Sequence, residues 1–254
     1  MKLSIVIPAY NEEKRIGRTL DLYAKYFVER YDGQVEIIVV VNGSHDQTAA
    51  IAREFAGRFP QISIVIEPEA IGKGGAVMLG FKHATGELVG FVDADASTPP
   101  GAFEDLVKQI GDTGLIIASR YLPGSVVEPR QALPRRVASR IFNLLVRTLF
   151  GMKIHDTQCG AKIFRREVAH AILPHLGITR WAFDVDLLFQ VHRLGFTMKE
   201  IPTTWRDEGG SQLKITRAST EMFIAIVRLR LIYSPFNWVV KIYDLTLGKL
   251  MHHG

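Results

Sequence analysis

The strongest chemical signal in the chain is a pair of carboxylates, Asp93 and Asp95, directly after the apolar run Leu88–Val92. On a loop that leaves a buried strand, two acids at this spacing can share a hard divalent cation and, through it, a diphosphate. Such a cation neutralises the charge that develops on a departing diphosphate. Asp-x-Asp also occurs in ordinary surface loops, so the interpretation depends on the motifs that accompany it.

A second polar cluster follows the first apolar run of the chain. Tyr10 can pack against a nucleobase there, and Glu12 can accept hydrogen bonds from ribose hydroxyls or from a base edge. Glu12 and Glu13 are also residues that favour the dipole at a helix N-terminus. We assign Glu12 to the nucleotide, and both roles remain open for Glu13.

Two further clusters follow the next runs. The amide of Asn42 can read a nucleobase, while Ser44 or Asp46 is expected to cap the next helix. The turn Gly72–Gly75 offers free backbone amides, and Lys73 adds an ammonium, which together suit a phosphate. The turn is not a Walker loop, because the spacing and the trailing Ser or Thr are missing.

Strands and helices alternate through the first half of the chain. Apolar runs predict strands at 3–7, 36–41, 62–66, 88–92 and 115–118, and helical spacing predicts helices at 12–30, 46–58, 74–83 and 100–109. This alternation indicates an α/β fold with a Rossmann-like, mostly parallel sheet covered by helices on both faces. Ligands bind such sheets beyond the carboxyl ends of the strands, where the polar clusters stand.

The second half is less regular. It predicts a basic amphipathic helix at 134–150, a polar loop at 155–160, a short strand around Ile163 and a helix at 183–194. The extended stretch 197–205 contains Pro202 and is therefore expected at a sheet edge. Two apolar helices, 218–233 and 236–250, would follow. Either they lie at a membrane interface or they pack on the core or on a partner.

Composition fits one large domain, since 47% of the 254 residues are hydrophobic and 22% are charged. We divide the chain into a catalytic domain at 1–215, with a nucleotide-binding half at about 1–120 and an acceptor-binding half at about 121–215, and C-terminal amphipathic helices at 216–254. Cys159 is the single cysteine, which excludes an intrachain disulfide and fits a reducing cytosol. The apolar runs are too short for a signal peptide or a spanning helix.

The net charge of +5 is concentrated in two segments. One holds Arg130, Arg135, Arg136, Arg140 and Arg147, and the other holds Arg217, Arg228 and Arg230. Such patches suit phosphates or anionic lipid headgroups. No helix-turn-helix pattern or aromatic-rich basic strand accompanies them, so a nucleic-acid partner is not expected.

In this order, the motifs resemble the family 2 inverting glycosyltransferases of the GT-A (nucleotide-diphospho-sugar transferase) fold. Three stretches, at 118–121 (Ala-Ser-Arg-Tyr), 156–162 (Asp-Thr-Gln-Cys-Gly-Ala-Lys) and 181–186 (Trp-Ala-Phe-Asp-Val-Asp), are similar to the polyprenyl-phosphate branch of that family. The second stretch resembles dolichyl-phosphate β-glucosyltransferases in particular, whose close relatives are the dolichyl-phosphate mannose synthases. The resemblance runs from about Ser4 to Leu213.

The resemblance implies a role for each matching residue. The nucleotide-sugar would be held by Pro8, Ala9, Tyr10, Glu12, Asn42, Lys73, Asp93, Ala94, Arg206 and Lys214, the last two closing over it from a flexible loop at 207–212. Mg²⁺ or Mn²⁺ would be held by Asp93, Asp95 and Ser97, with Asp95 the more direct ligand. The acceptor phosphate would contact Arg120, Arg136 and Arg140, and Asp95 and Arg120 would be the catalytic residues.

Two positions depart from the family pattern. Val41 and Asn42 stand where the family usually has paired acids, which leaves the choice of base open because an amide can both donate and accept. Asp186 stands where the family usually has glutamate, so we expect a rearranged partner for the shorter side chain.

The resemblance implies an inverting hexosyltransferase whose acceptor is a polyprenyl phosphate. A phosphate monoester, with a second pKa of about 6, is largely dianionic at neutral pH and needs no strong base. It needs arginines that hold two anions close together. If the acceptor were a hydroxyl, Asp156 or Asp184 would be the candidate base; otherwise both are expected to pair with nearby Arg or Lys.

The preferred donor is UDP-glucose and the acceptor dolichyl or undecaprenyl phosphate. The alternatives are a GDP-mannose-dependent polyprenyl-phosphate mannosyltransferase and a family 2 enzyme acting on a saccharide hydroxyl. A non-catalytic nucleotide-sugar sensor is a different class, which the Asp93/Asp95 pair and the arginines argue against. We expect a cytoplasmic protein at the cytoplasmic face of a membrane, and a membrane-anchoring partner or a homo-oligomer is compatible with the sequence.

Overall fold

The computed structural model of the chain describes residues 2–129, 132–177, 182–206 and 215–238, with the backbone alone over 215–220. Several expectations lie outside these residues. They concern Lys214 and the loop at 207–212, Arg130, the side chain of Arg217, Trp181, and the second C-terminal helix beyond residue 238.

A seven-stranded sheet forms the centre of the molecule. Its strands are β1 (Leu3–Ala9), β2 (Val35–Asn42), β3 (Ile62–Glu67), β4 (Leu88–Phe91), β5 (Leu115–Ser119), β7 (Lys162–Arg165) and β8 (Met198–Pro202), in the spatial order β3-β2-β1-β4-β7-β5-β8. A separate two-stranded sheet pairs β6 (Val126–Glu128) with β9 (Thr204–Arg206). The extended stretch containing Pro202 thus supplies β8 at the sheet edge, as predicted, and continues into β9.

The sheet is mostly parallel, which confirms the predicted class. β1 runs parallel to β2 and β4, β2 to β3, and β5 to β8. The exception is β7, which lies antiparallel between β4 and β5. Because β7 runs in the opposite direction, its first residue, Lys162, pairs with Phe91 at the end of β4. The preceding loop therefore lies at the carboxyl edge of the parallel strands.

Eight helices surround this sheet in the described part of the chain: α1 (Ile16–Arg30), α2 (Thr48–Arg58), α3 (Gly72–His83), α4 (Pro100–Gln109), α5 (Leu133–Phe150), α6 (Arg166–Ile172), α7 (Phe183–Arg193) and α8 (Ile215–Ile232). The predicted helices that lie within the described residues are confirmed, although α1 begins at Ile16 and not at Glu12. Sequence analysis did not identify β6 and α6, which are too short to carry a clear periodicity.

The two faces of the sheet carry separate apolar cores. On one face Tyr23, Phe27 and Phe103 pack beneath α1 and α4, and on the other Phe81 and Phe164 contact each other edge to face. Strand β1 serves both cores, since its side chains alternate between the faces. Burial on both faces explains why the strands are continuous apolar runs.

Helix α8 packs on the core with part of its apolar surface and leaves another part exposed. Ile226 and Leu229 are fully buried against the second core, and Arg230 donates to the carbonyl of Leu149 on α5. Phe223 and Ile224 are exposed on the other side. Within the described residues, no helix combines the length and apolarity that crossing a bilayer requires.

Two helical glycines provide a matched test of how tightly α3 packs on the sheet. A Cβ at Gly80 would overlap the side chain of Val6 on β1, whereas a Cβ at Gly57 on α2 would meet no atom within 4 Å. Alanine in a helix is more favourable than glycine by about 0.8–1 kcal/mol. We expect Gly57→Ala to stabilise the protein by roughly this amount and Gly80→Ala to destabilise it by about 1–3 kcal/mol. Denaturant unfolding would measure both, and equal effects would refute the close packing of α3.

Candidate active site

The loops after β1 and β2 are fixed to each other by reciprocal hydrogen bonds. The backbone N–H of Asn11 donates to Ser44 Oγ at 3.1 Å, and the N–H of His45 donates back to Asn11 Oδ1 at 2.9 Å. The N–H of Glu13 donates to Asp46 Oδ2, and that of Gln47 to Glu13 Oε2, both at 3.1 Å. Ser44 and Asp46 therefore serve the neighbouring loop, and Asp46 also accepts from the N–H of Thr48 at 3.0 Å. The side-chain cap expected from Ser44 or Asp46 is not formed, because the N-cap residue of α2 is Gln47. The two loops are therefore fixed relative to each other beside the ends of β1 and β2.

Glu12 forms an ion pair that sequence analysis missed. Its carboxylate accepts two hydrogen bonds from Arg15, from Nε at 2.6 Å and from Nη2 at 2.7 Å. The two residues lie in the turn that precedes α1, so the helix itself begins only at Ile16. Burial raises the pKa of Glu12, and Arg15 opposes this effect only in part. The i, i+3 spacing of Glu12 and Arg15 can be read from the sequence, but the contact of their side chains beside the strand ends cannot.

The loop after β4 carries the predicted metal ligands. Two neighbouring elements and one bond within the loop hold it in place. Ala94 is buried and its carbonyl accepts from Thr19 Oγ at 2.7 Å. The N–H of Ser97 donates to Asp95 Oδ1 at 3.0 Å, and the carbonyl of Ser97 accepts from the N–H of Arg206 at 2.8 Å. Ala96 adopts a φ of 57°, a strained left-handed conformation that is common at functional sites. The backbone of Arg206 therefore lies against this loop.

Lys73 links this loop to the opposite side of the site. Its ammonium lies 2.7 Å from Asp93 Oδ1 and 3.6 Å from Asp184 Oδ2. Asp184 is held in turn by Lys162, which is fully buried and lies 2.6 Å from Asp184 Oδ1. Lys162 also donates to the carbonyl of Cys159 at 2.8 Å. Alternating charges therefore connect the predicted metal ligand Asp93 to a cation in the core.

The pKa values of these groups follow from this arrangement. Burial raises the pKa of Asp184, but Lys162 and Lys73 outweigh that effect and hold it below the ordinary value. Burial lowers the pKa of Lys73, and Asp184 and Asp93 more than reverse this. Burial raises the pKa of Asp93, with Lys73 opposing and Asp95 adding to the increase. Lys73 and Asp184 are therefore charged at neutral pH.

Glycines of the predicted phosphate turn serve close packing. A Cβ on Gly74 would overlap the ring of Phe183, and a Cβ on Gly75 would lie 2.9 Å from Cβ of Ile71. Because α3 approaches α7 this closely at Gly74 and Phe183, the next residues, Lys73 and Asp184, come within range of each other. Gly160 has a similar role, since a Cβ there would overlap the Asp93 carboxylate.

The carboxylates fit a divalent cation that is shared with a ligand. Asp93 and Asp95 supply hard oxygen donors, and the side chain of Asp93 is 32% exposed. Among the described residues no three His, Cys, Asp or Glu side chains cluster as an all-protein metal cage would require. Mg²⁺ is usually bound by one or two carboxylates together with substrate phosphates, which matches this donor set.

Arg120 forms a buried bidentate pair with Asp156. Nε lies 2.8 Å from Oδ2 and Nη2 lies 2.9 Å from Oδ1, and the backbone N–H of Arg120 adds a third bond at 2.9 Å. Burial raises the pKa of Asp156, but Arg120 outweighs this and lowers it. The guanidinium also lies over the ring of Trp205, 5.3 Å from its centroid. The predicted pairing of Asp156 and Asp184 with cations is confirmed.

Asn42 presents a buried acceptor near the predicted nucleoside residues. Its Nδ2 donates to the carbonyl of Ala9 at 3.1 Å, which fixes the orientation of the amide. Oδ1 is buried and has no hydrogen-bond partner among the described residues. Tyr10, on the neighbouring loop, is half exposed. An orphaned buried acceptor is costly unless a ligand supplies a donor, so the position fits an N–H of a nucleobase.

Arg136 and Arg140 are exposed on the first turns of α5. The hydroxyl of Tyr121 donates to Ser139 Oγ at 2.6 Å, which ties this end of the helix to the loop that begins at Arg120. The two arginines therefore lie on the helix that borders the Arg120 loop.

Asp186 accepts hydrogen bonds from three groups. Oδ1 accepts from Gln190 Nε2 at 3.0 Å and from the Tyr233 hydroxyl at 3.1 Å, and Oδ2 accepts from the N–H of Gly177 at 3.2 Å. Asp186 is fully buried. It therefore anchors the end of α8 to α7.

Comparison with known proteins identifies relatives over nearly the whole chain. The family described as Glycosyl transferase family 2 matches residues 4–173. The chain is 36% identical over 250 residues to "Dolichyl-phosphate beta-glucosyltransferase ALG5C" of Trichomonas vaginalis, with 94% of this chain and 73% of that protein covered. It is 32% identical over 251 residues to the human dolichyl-phosphate beta-glucosyltransferase, with 93% of this chain and 77% of that protein covered.

Solved structures match in fold. The glucosyl-3-phosphoglycerate synthase of Mycobacterium tuberculosis, in complex with Mn²⁺, UDP-glucose and phosphoglyceric acid, superposes with a TM-score of 0.68 at 22% identity, covering 90% of this chain and 79% of that one. The same enzyme with Mg²⁺ and UDP gives a TM-score of 0.68 with the same coverage. These similarities establish that the sheet and its helices have the GT-A arrangement.

The Arg120–Asp156 pair generates a stability prediction. Asp156→Asn leaves a buried guanidinium without its counter-charge, so we expect a loss of about 3–5 kcal/mol in the free energy of unfolding. The exposed pair of Asp21 and Lys25, 2.8 Å apart, provides the control, because Asp21→Asn should cost less than about 1 kcal/mol.

The pH dependence of the same variant adds a second measurement. The pKa of Asp156 is lower in the folded state than in the unfolded state, so its stabilisation is present above about pH 4 and is lost as the pH falls through the folded-state value. In Asp156→Asn the unfolding free energy should lose this part of its acid dependence. An unchanged acid profile would show that the pair contributes nothing.

Proposed function

Since this chain belongs to glycosyl transferase family 2, we propose that it transfers glucose, with inversion, from UDP-glucose to the phosphate of a polyprenyl lipid such as dolichyl phosphate. The chain is a glycosyltransferase. Its relatives named dolichyl-phosphate beta-glucosyltransferase cover almost all of it at 31–36% identity. The observation that carries the choice of acceptor is the buried Arg120–Asp156 pair, which places a fixed guanidinium at the site while occupying a candidate base.

The donor would lie along the carboxyl edge of β1, β2 and β4. Pro8, Ala9 and Tyr10 would receive the nucleoside, and the orphaned Oδ1 of Asn42 would accept from the base. An N–H of this kind is present on both uracil and guanine, so Asn42 alone does not separate UDP from GDP. The choice of UDP-glucose rests on the names of the relatives and on the UDP complexes of the M. tuberculosis synthase.

A divalent cation, Mg²⁺ or Mn²⁺, would be held by Asp93 and Asp95, with Ser97 close by. It would offset the negative charge that grows on the leaving diphosphate. Lys73 and Arg206 lie beside the same loop and would contact the diphosphate directly. Lys214 completes the proposed donor set.

Bond formation would need little help from a base. A phosphate oxygen of the acceptor attacks the anomeric carbon, a new carbon–oxygen bond forms, and the bond to the nucleoside diphosphate breaks with its electron pair leaving on the diphosphate. A phosphate dianion carries no proton that has to be removed first. Asp156 and Asp184, the bases considered for a hydroxyl acceptor, are committed to Arg120 and to Lys162 and Lys73, and both have lowered pKa values.

Arginines would hold the acceptor phosphate next to the donor. Arg120 uses Nε and Nη2 for Asp156, and Nη1 lies outside that pair. We assign Nη1 to the two anions that must approach each other, with Arg136 and Arg140 on the lipid side. Charge-assisted hydrogen bonds from guanidinium to phosphate are among the strong ones in proteins.

The exposed face of α5 supports a lipid acceptor. It carries an apolar stripe whose members are 47–68% exposed: Leu133, Val137, Ile141 and Leu144. At this spacing they share one side of the helix, and Arg136, Arg140 and Arg147 run alongside. An apolar stripe beside a row of cations is typical of a helix that lies at the surface of an anionic membrane. We therefore assign residues 1–120 to the donor, 121–215 to the acceptor, and residues 216–254 to interfacial contact.

This assignment places the protein peripherally at the cytoplasmic face of a membrane, where nucleotide-sugars are available. The exposed Phe236 and Trp238 after α8 are of the type found at membrane interfaces. A membrane-anchoring partner or a second copy of the chain is compatible with this location.

The function is tested by offering several donors and acceptors to the purified protein. With Mn²⁺ and a short polyprenyl phosphate we expect glucose transfer from UDP-glucose, detected by mass spectrometry, and little transfer from GDP-mannose. Asp95→Asn should reduce turnover at least about 100-fold, since it removes half of the carboxylate pair. Asp105→Asn, an exposed acid on α4, is the control. Transfer to a free saccharide but not to the lipid phosphate would reject the proposal.

Membrane contact through α5 is tested separately. Ile141→Ser with Leu144→Ser should weaken binding to phosphatidylserine-containing vesicles at least about tenfold, because the stripe loses buried apolar area. Arg136→Gln with Arg140→Gln should weaken binding to anionic vesicles and leave the weak binding to neutral ones unchanged. Leu22→Ser, at an exposed position on α1, is the control. Vesicle binding that is insensitive to both double variants would remove α5 from the interface.

A further inference from the structure

Lys73 forms an ion pair with Asp93, one of the residues proposed to hold the cation. Its ammonium makes a 2.7 Å contact with Asp93 Oδ1, and the side chains of both residues are about one-third exposed, at 34% and 32%. Each therefore remains open to solvent and to an incoming ligand. A cation coordinated by Asp93 would have to share this carboxylate with an ammonium of the same sign of charge.

We propose that Lys73 is a resident counter-ion that binds Asp93 while the donor is absent and moves to the donor diphosphate when the metal arrives. This inference rests on the proposed function, because the diphosphate is that of the nucleotide-sugar. Its consequence is that the cation binds weakly alone and tightly together with the nucleotide. Donor and metal would thus enter the site as one unit.

Asp184, which is held by Lys162, keeps the Lys73 side chain near the site while its ammonium moves. Lys162 occupies Asp184 Oδ1 at 2.6 Å and is itself fixed by the carbonyl of Cys159. The other oxygen, Asp184 Oδ2, is left facing Lys73 at 3.6 Å. This longer contact provides an anionic anchor that persists when the ammonium leaves Asp93. Asp184 is thus a positioning residue and does not need to contact the substrate.

Packing supports a movement of the ammonium alone. The backbone around Lys73 is fixed, since Gly74 packs directly against Phe183 and Gly75 against Ile71. A lysine side chain has a flexible four-carbon stem that ends in a compact charge. Rotation about that stem can carry the ammonium from a carboxylate to a phosphate without moving α3.

Charge favours the exchange only when both ligands are present. A divalent cation at Asp93 and Asp95 repels an ammonium at hydrogen-bond distance from the same carboxylate, which weakens metal binding in the donor-free protein. A nucleoside diphosphate brings additional negative charge, and this charge gives the displaced ammonium a new partner. The repulsion is then replaced by attraction.

The test measures Mn²⁺ binding by electron paramagnetic resonance, without and with UDP. Without UDP, Lys73→Met should bind Mn²⁺ at least about tenfold more tightly than the natural protein, because the competing charge is gone. With Mn²⁺ present, the same variant should bind UDP about tenfold more weakly. A purely structural role of Lys73 would not increase the affinity for a metal.

Three further variants control the measurement. Lys73→Arg keeps the charge and should retain weak binding of Mn²⁺ alone, and Lys82→Met, at an exposed position on the same helix, should behave as the natural protein. Thermal unfolding checks that each variant is folded, and Lys73→Gln replaces Lys73→Met if the latter is not. An affinity for Mn²⁺ alone that is unchanged or lower in the folded charge-removing variant would overturn the inference.

The two proposals fail in different ways. If the natural protein binds neither UDP nor Mn²⁺ with UDP, the proposed donor chemistry fails, and the counter-ion role fails with it. If Mn²⁺ and UDP bind the natural protein together but removal of the Lys73 charge leaves the metal affinity unchanged, only the counter-ion role fails.

Discussion

The structure depends on how negative charge is accommodated at the carboxyl edge of the sheet. Asp93, Asp95 and Asp184 all face this edge, and burial alone would favour the neutral forms of Asp93 and Asp184. Cations lie beside these carboxylates in order from the interior outward. Lys162 contacts Asp184, and Lys73 contacts both Asp184 and Asp93. Because Asp184 and Asp93 each have a cation beside them, part of their negative charge is already offset before a ligand binds.

Close backbone packing is what brings these charges together. The antiparallel insertion of β7 delivers Lys162 to the end of β4, and the contact of Gly74 with Phe183 draws α3 against α7. The absence of a side chain at Gly160 allows the loop before β7 to close on Asp93. Three backbone features, and not the loops alone, therefore determine the positions of the charged side chains.

The proposed acceptor side follows the same logic with the signs reversed. The guanidinium of Arg120 is largely buried, and its desolvation would be costly without Asp156. The pair also fixes the guanidinium plane, so that less side-chain entropy is lost when an anion binds. Trp205 covers the guanidinium from one side. The adjoining helix α5 then exposes apolar residues and arginines together, which suits a substrate that has an anionic head and an apolar tail.

Much of this protein was determined by its sequence alone. The mostly parallel sheet followed from apolar runs that are buried on both faces, and the candidate site was predicted from polar residues that end neighbouring strands, because these are local patterns. The tertiary structure decided which charges are neighbours: Arg15 at Glu12, Lys73 between Asp93 and Asp184, and Lys162 beneath them. It also gave Gly74 and Gly75 a packing role. Such pairings join residues that are distant along the chain, and they depend on strand order and helix approach, which no local periodicity encodes.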